Sequence, residues 1–228
     1  MIKLYYNDES TDDYKIKVKT RPKIPTSVHR YTEVTIPGRD GVLHKDEKSN
    51  EDIQIDVEFN FISENYMHIL RRIKSWFIAT GKLSFSYDRD FFYKVKKITF
   101  DTAEVTAKKL VNFTAHFTCE PYLYSEDGQQ KLKNPTQLYN EGYEACPLYK
   151  IYGEGICELT VNEKTVKANV GQNMIIDVER ELAYRDDGKI MNTYTSGHFE
   201  DLRLKGGNNT ISITEGFTLE ITPNWRWY

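Results

Sequence analysis

The run Ile53-Gln54-Ile55-Asp56-Val57-Glu58-Phe59-Asn60-Phe61 constrains this chain more than any other stretch. Ile53, Ile55, Val57, Phe59 and Phe61 fall on one face, and Gln54, Asp56, Glu58 and Asn60 on the other. A period of two is the signature of a half-buried strand, not of a helix. An earlier run, Tyr31 to Ile36, reads as a strand that breaks at Pro37-Gly38-Arg39-Asp40-Gly41. Between the two lies a charged, glycine-free connection, Leu43 to Asp52, too long and too polar for a tight hairpin turn. A polar arm held between two good strands is a device for reaching another molecule.

The rest of the chain supports a mainly β protein. Tyr14, Ile16 and Val18 alternate with Lys15, Lys17 and Lys19 and predict a first strand. One helix follows the arm unit: Tyr66, Ile69, Leu70, Ile73, Trp76 and Phe77 recur at three- and four-residue steps, with Ser63 as expected N-cap, Glu64 in the first turn and Gly81 as expected C-cap. Leu83–Phe85 and Phe92–Phe100 read as strands around a polar turn at Tyr87–Asp90. Leu110–Glu120 places Val111, Phe113, Ala115, Phe117 and Cys119 on one face, and Pro121 is expected to end it.

Residues 125–136 are polar and broken by Gly128 and Pro135, which suggests a linker. The expected division is an α+β domain over 1–130 and a second domain over 131–228. In the second, short apolar runs are punctuated by turn residues: 148–152, 156–161, 165–169, 174–178, 182–184, 202–204, 210–214 and 217–222. Many short strands without a helix predict a β-sandwich.

Net charge is −3 with both signs interspersed, which gives no global attraction to nucleic acid or an anionic membrane. The lysine clusters 15/17/19 and 94/96/97 alternate with apolar residues and read as wet strand faces. No apolar run approaches the roughly 18 residues of a membrane span, and the first residues lack the apolar core of a signal peptide. Cys119, Cys146 and Cys157 are too few and too loosely spaced for a disulfide framework or a zinc site. His29, His44, His68, His116 and His198 show no metal-binding spacing, and no phosphate, dinucleotide or serine-nucleophile motif occurs. Asp88/Asp90 and Asp186/Asp187 sit in turn contexts, where Asp bonds its own backbone. Neither an active site nor a cofactor is expected. The alternative function is sugar binding on exposed aromatics of the sandwich, with Trp225, Trp227, Tyr184 and Tyr194 as candidates.

Three ordered motifs carry a resemblance: Ile36-Pro37-Gly38-Arg39-Asp40-Gly41; Asn112 through Tyr124; and Asn140-Glu141-Gly142 with Pro147, Gly153-Glu154-Gly155 and a closing Pro223-Asn224-Trp225-Arg226. In these the chain resembles the distal tail protein family of long-tailed, non-contractile bacteriophages and their prophages. The resemblance implies an N-terminal domain similar to the tail-tube subunit, six copies of which close into a ring, with a hairpin arm from each reaching its neighbour. It implies a galectin-like C-terminal sandwich outside the ring. The ring would join the tail tube protein to tail-tip or baseplate proteins, including the tail-associated fibre or lysin, and leave a channel through which DNA passes. The expected location is the virion tail tip, assembled in the bacterial host cytoplasm, with no membrane partner. Ring-contact candidates are Arg39, Asp40, Leu43, His44, Lys45, Asp46, Glu47, Lys48 and Glu51; outward contacts are assigned to Trp225, Arg226, Trp227 and Tyr228. Some relatives carry large carbohydrate-binding insertions; no segment here is long enough for one, so adhesion would fall to a partner.

Overall fold

A computed structural model describes residues 2–77, 80–106 and 109–228. The chain divides into two compact units, Met1–Leu123 together with Tyr228, and Tyr124–Trp227. Among the described residues the strands of the first part are β1 (Leu4–Tyr6), β2 (Glu9–Ser10), β3 (Lys17–Val18), β4 (His29–Val34), β5 (Leu43–Asn50), β6 (Ile53–Ile62), β7 (Gly81–Phe85), β8 (Asp88–Phe100), β9 (Glu104–Val105) and β10 (Leu110–Ser125), with one α-helix, α1 (Tyr66–Trp76). The fold is mainly β, as its alternating sequence requires.

The main sheet of the first unit runs β2-β1-β7-β8-β10-β6-β3. Its centre is the pair read from the sequence. The antiparallel register sets Val111 against Phe61, Phe113 against Phe59, Ala115 against Val57, Phe117 against Ile55 and Cys119 against Ile53. All ten side chains are buried. The helix covers this face. Ile73 and Trp76 are buried against it, the Trp76 indole N–H donates to the Tyr6 carbonyl at 3.1 Å, and the Phe77 ring packs on Phe59, Phe117 and Tyr6. The opposite face pairs Asn60 with Asn112, Glu58 with Thr114, Asp56 with His116 and Gln54 with Thr118. A one-residue slip would bury this polar set, so the register is strongly specified. The basic clusters follow the expected wet strand face only in part: Lys15 lies in a turn at φ 57° and Lys96 and Lys97 are exposed in succession, while Lys19 meets Glu58, Lys94 meets Glu120 and Lys96 meets Asp52.

Several local expectations change. The Tyr31–Ile36 run belongs to no main sheet; β4 and β5 form a separate two-stranded sheet. The helix begins after Asn65, and Ser63 Oγ accepts the Asn65 N–H at 3.1 Å rather than capping α1; Glu64 lies outside the first turn and pairs with Lys109. Gly81 is not a helix cap. It opens β7 under Tyr6, where a Cβ would come within 2.6 Å of the ring. Of the expected first strand only Lys17–Val18 is extended in the sheet, while Tyr14 stacks on Trp76 with centroids 4.3 Å apart. Pro121 does not end β10. The ladder to β6 finishes at Cys119–Ile53, so the missing N–H costs no bond there.

The second unit holds β11 (Leu132–Lys133), β12 (Gln137–Asn140), β13 (Leu148–Val161), β14 (Lys164–Asp177), β15 (Leu182–Tyr184), β16 (Thr195–Ser196), β17 (Gly207–Ile213), β18 (Thr218–Thr222) and β19 (Arg226–Trp227). Four of the expected short strands are two long ones. β13 and β14 pair without interruption from Leu148–Asp177 to Val161–Lys164, and Asn162 and Glu163 turn between them at φ 48° and 71°. Gly153 and Gly155, at φ +149° and +106°, bend β13 instead of ending it. Each half then takes its own neighbour: residues 148–152 pair with β18 and 159–161 with β17. One core gathers both halves, including Tyr149, Ile151, Leu159 and Val161. The expected strand at 202–204 is the end of a 3-10 turn, Phe199–Leu202, plus a single bridge from Leu204 to Ala145. Residues 125–136 are built into this unit. Ser125 N–H donates to the Trp225 carbonyl, Gly128 packs against Trp225, and Leu132 pairs with Ile221.

Candidate assembly surface

The feature that the first unit's core does not use is the β4–β5 hairpin. Its register pairs Val34 with Leu43, Glu33 with His44, Thr32 with Lys45 and Tyr31 with Asp46, then slips so that His29 faces Asn50. The slip loops two extra residues into β5. Lys48 takes a left-handed φ of 52°, and its N–H donates to Asp46 Oδ1 at 2.6 Å, closing the bulge. At the other end, Arg39 N–H donates to the Ile36 carbonyl at 3.2 Å across Pro37-Gly38, with Gly38 at φ +81°. Proline first and a left-handed glycine second are what a type II turn demands. Gly41, at φ +79°, completes the reversal. The Gly-Arg-Asp-Gly motif is therefore the tip of the arm, which presents Arg39 and Asp40 to solvent.

The base of the arm is tied down. Asn50 Nδ2 donates to the Tyr122 and Tyr228 hydroxyls, each at 3.0 Å, and its Oδ1 lies 2.9 Å from His29 Nδ1. His29 Nε2 lies 2.6 Å from Asp46 Oδ1. The Asn50 contact and then the Asp46 carboxylate raise the His29 pKa above its ordinary value; the Lys48 N–H, then His29, lower that of Asp46. Ser27 Oγ donates to the Glu51 carbonyl at 2.7 Å, and Glu51 N–H to the Val28 carbonyl at 2.8 Å.

Beyond this base the arm is bare. No side chain between residues 30 and 49 belongs to either hydrophobic core. Tyr31 is 55% exposed, Val42 45% and Leu43 44%, and Val34 and Ile36 are exposed beside them. An isolated two-stranded hairpin is marginal in water; here Val34 and its register partner Leu43 are exposed on one face and Tyr31 on the other, and exposed apolar patches mark interaction surfaces.

The structure brings the expected ring-contact residues together on this element. Arg39 and Asp40 stand at the tip and Leu43 beside Val34. His44 lies 4.0 Å from Glu33, Lys45 faces Thr32, and Asp46 and Lys48 form the bulge. Glu47 accepts the Thr32 hydroxyl, and Glu51 lies just past β5. Sequence reasoning missed the outgoing strand's share, Tyr31 and Val34, because a strand-like run next to a strong β6 reads as its sheet partner. It also missed Asn50, whose anchoring role depends on Tyr122 and Tyr228, far away in the chain.

The residues assigned to outward contact fare differently. Arg226 is only 7% exposed. Its Nε donates to the Glu144 carbonyl at 2.7 Å, its Nη1 lies 3.8 Å from Glu179, and its Nη2 lies 3.4 Å from Cys146 Sγ. Arg226 therefore fastens the second unit internally. Trp225 packs against that unit's core and against Gly128, and Trp227 lies on Gly142. Tyr228 is exposed, with its hydroxyl at Asn50. The Asn140-Glu141-Gly142 turn and the Pro223–Arg226 tail are one construction: Gly142 N–H donates to Asn140 Oδ1 at 2.9 Å, Tyr143 N–H to the Arg226 carbonyl at 2.7 Å, and Asn224 Nδ2 to the Cys146 carbonyl at 3.0 Å. Of the aromatics weighed for sugar stacking, Tyr194 is exposed beside Ile156, and Tyr184 is half-buried.

Burial pushes the Cys119 thiol up to about 12 and that of Cys157 to about 11, and raises Cys146 as well, so none is a ready thiolate. His116 bridges Asp56 at 2.7 Å and Asp101 at 3.1 Å on the sheet's polar face. Among the described residues no group of three His, Cys, Asp or Glu side chains is placed to hold a metal ion.

No family model matches the chain, and no curated protein sequence does either. A comparison of folds gives a full-length match. The chain is similar to the crystal structure of the SPP1 Dit (gp 19.1) protein, described as a paradigm of the hub adsorption apparatus in phages infecting Gram-positive bacteria. The match covers 100% of both chains, with a TM-score of 0.66 and 15% sequence identity. What is shared is the fold, and it is a fold of the kind that the three sequence motifs indicate.

Proposed function

We propose that this chain is a non-enzymatic structural protein of a phage or prophage virion, a member of the distal tail family. In this reading six copies close into a ring at the tail tip. The first unit, whose expected limit is residue 130, closes the ring; the second faces tail-tip or baseplate partners. The ring joins the tail tube protein to those partners, including the fibre or lysin protein, and DNA passes through its channel. The observation that carries the reading is the arm: a hairpin anchored at its base, bare along its length, on a fold shared with a phage hub protein. A single copy leaves Tyr31, Val34, Val42 and Leu43 in water, and a neighbouring copy would cover them.

The test removes the arm. His29 and Asn50 are register partners, so an Asn-Gly turn can replace residues 30–49. The shortened chain is expected to keep the folded signature of both units and to lose ring-sized species in light scattering. Rings that persist without the arm would overturn its assignment.

A further inference from the structure

A second feature of the first unit is a cavity at the margin of its core. Leu70 and Ile73 of α1, Phe113 of β10, and Phe100 and Ala103 around the end of β8 line this cavity of about 320 Å³. That is room for about ten waters, in a site whose walls mix these apolar side chains with polar ones in about equal measure. Two opposite charges also line it and are exposed, Lys74 on the helix and Asp101 just past β8, as is Thr102. One oxygen of Asp101 lies 3.1 Å from His116 Nε2, which fixes the carboxylate in place.

The arm tip has the complementary chemistry. Ile36, Val42 and Leu43 are exposed aliphatic side chains, and between them the turn holds Arg39 and Asp40 next to each other. We propose that the cavity between α1 and residues 100–103 receives the arm tip of a second copy, with Val42 or Ile36 against its apolar side chains Leu70 and Phe100, Arg39 meeting Asp101, and Asp40 meeting Lys74. This inference rests on the ring reading and deepens it by naming the receiving surface. The pairing is heterologous: donor and receptor are different patches on one subunit, the arrangement that generates a closed ring or an open filament. The glycines follow from the same idea. A Cβ at Gly38 or Gly41 would meet nothing within 4 Å, so only backbone shape requires glycine there, and that shape sets the spacing of the Arg39–Asp40 pair.

The experiment uses the full chain and two single-cysteine additions, Val42→Cys and Thr102→Cys. The three native thiols are buried, so background crosslinking is low. Mixed and mildly oxidised, the two variants are expected to give a disulfide-linked dimer that neither gives alone, and the double variant a ladder of linked chains. A second arm reads charge: Asp40→Lys and Lys74→Glu are each expected to weaken association about fivefold per interface, the upper end for an exposed pair, and the double exchange to restore it. Ring-sized species with no crosslink and no restoration would place the receptor elsewhere and leave the ring reading standing. A strict monomer in the unmodified chain at every concentration would remove the ring reading and this inference together. A crosslink confined to the double variant and within one chain would mean that the arm folds back on its own subunit, which also overturns the proposal.

Discussion

His116 shows how much one side chain reveals about the polar face of the first sheet. Asp56 and then Asp101 raise its pKa above the ordinary value of about 6.5. A histidine whose folded pKa is raised contributes stability that is complete below its unfolded pKa. That stability is lost as the pH rises through the folded value. A proton-NMR titration of the His116 ring should therefore report a midpoint above 6.5, and Asp56→Asn should bring it down; an unchanged midpoint would mean that the pair is not formed in solution. At Gly142 the constraint is steric. A Cβ there would overlap the Arg226 carbonyl oxygen and come within 2.9 Å of the Trp227 ring. Backbone cannot yield as a flexible side chain does, so Gly142→Ala should cost about 2 kcal/mol, within the range for overpacked sites. Thermal unfolding of the second unit should shift down by several degrees. An equal loss for Gly171→Ala, where a Cβ meets nothing within 4 Å, would show that glycine content matters and not this contact.

At the level of elements, the arm depends on a few polar atoms at its base. Asn50 reaches both tyrosine hydroxyls and His29. Asn50→Leu removes those bonds and leaves the chain's folded core untouched, so amide exchange should accelerate along β5 while β6 and β10 stay protected. Uniform exchange across β5 and β6 would mean that the hairpin is stabilised along its length instead. The elements also divide by how legible they were. β6 and the 110–119 part of β10 are visible in the sequence because each buries one face and wets the other, and period two leaves no other reading. The helix is visible for the same reason at period 3.6. The arm was legible only in part. Its charged return strand stands out, but β4 reads as an ordinary sheet strand, since Tyr31 and Val34 look like residues that want burial and the sequence does not say that none is available within the chain. Gly153, Gly155 and Gly171 looked like strand ends because a glycine that bends a strand and a glycine that stops one are the same letter. Arg226 looked like a surface cation because its partners, Glu144, Cys146 and Glu179, lie distant in the chain.

For the molecule as a whole the question is what completes a fold that leaves one hairpin bare. Each unit buries a hydrophobic core of its own within the chain. The arm is different: its apolar side chains are solvated in one copy and would be desolvated in a ring, and each closed contact adds to the next. In a ring every subunit both gives and receives, so closure removes the two unsatisfied ends that an open oligomer keeps. Intermediates should then be scarce. Light scattering on a sizing column across a concentration series should show monomer at 26.7 kDa giving way to one discrete species six times heavier, with little between. A smear of dimers, trimers and higher forms would mean contacts that do not close, the behaviour of a filament or of nonspecific association through the exposed arm. Dimers alone would mean a self-complementary patch, which an arm and a distant receptor on the same subunit do not make.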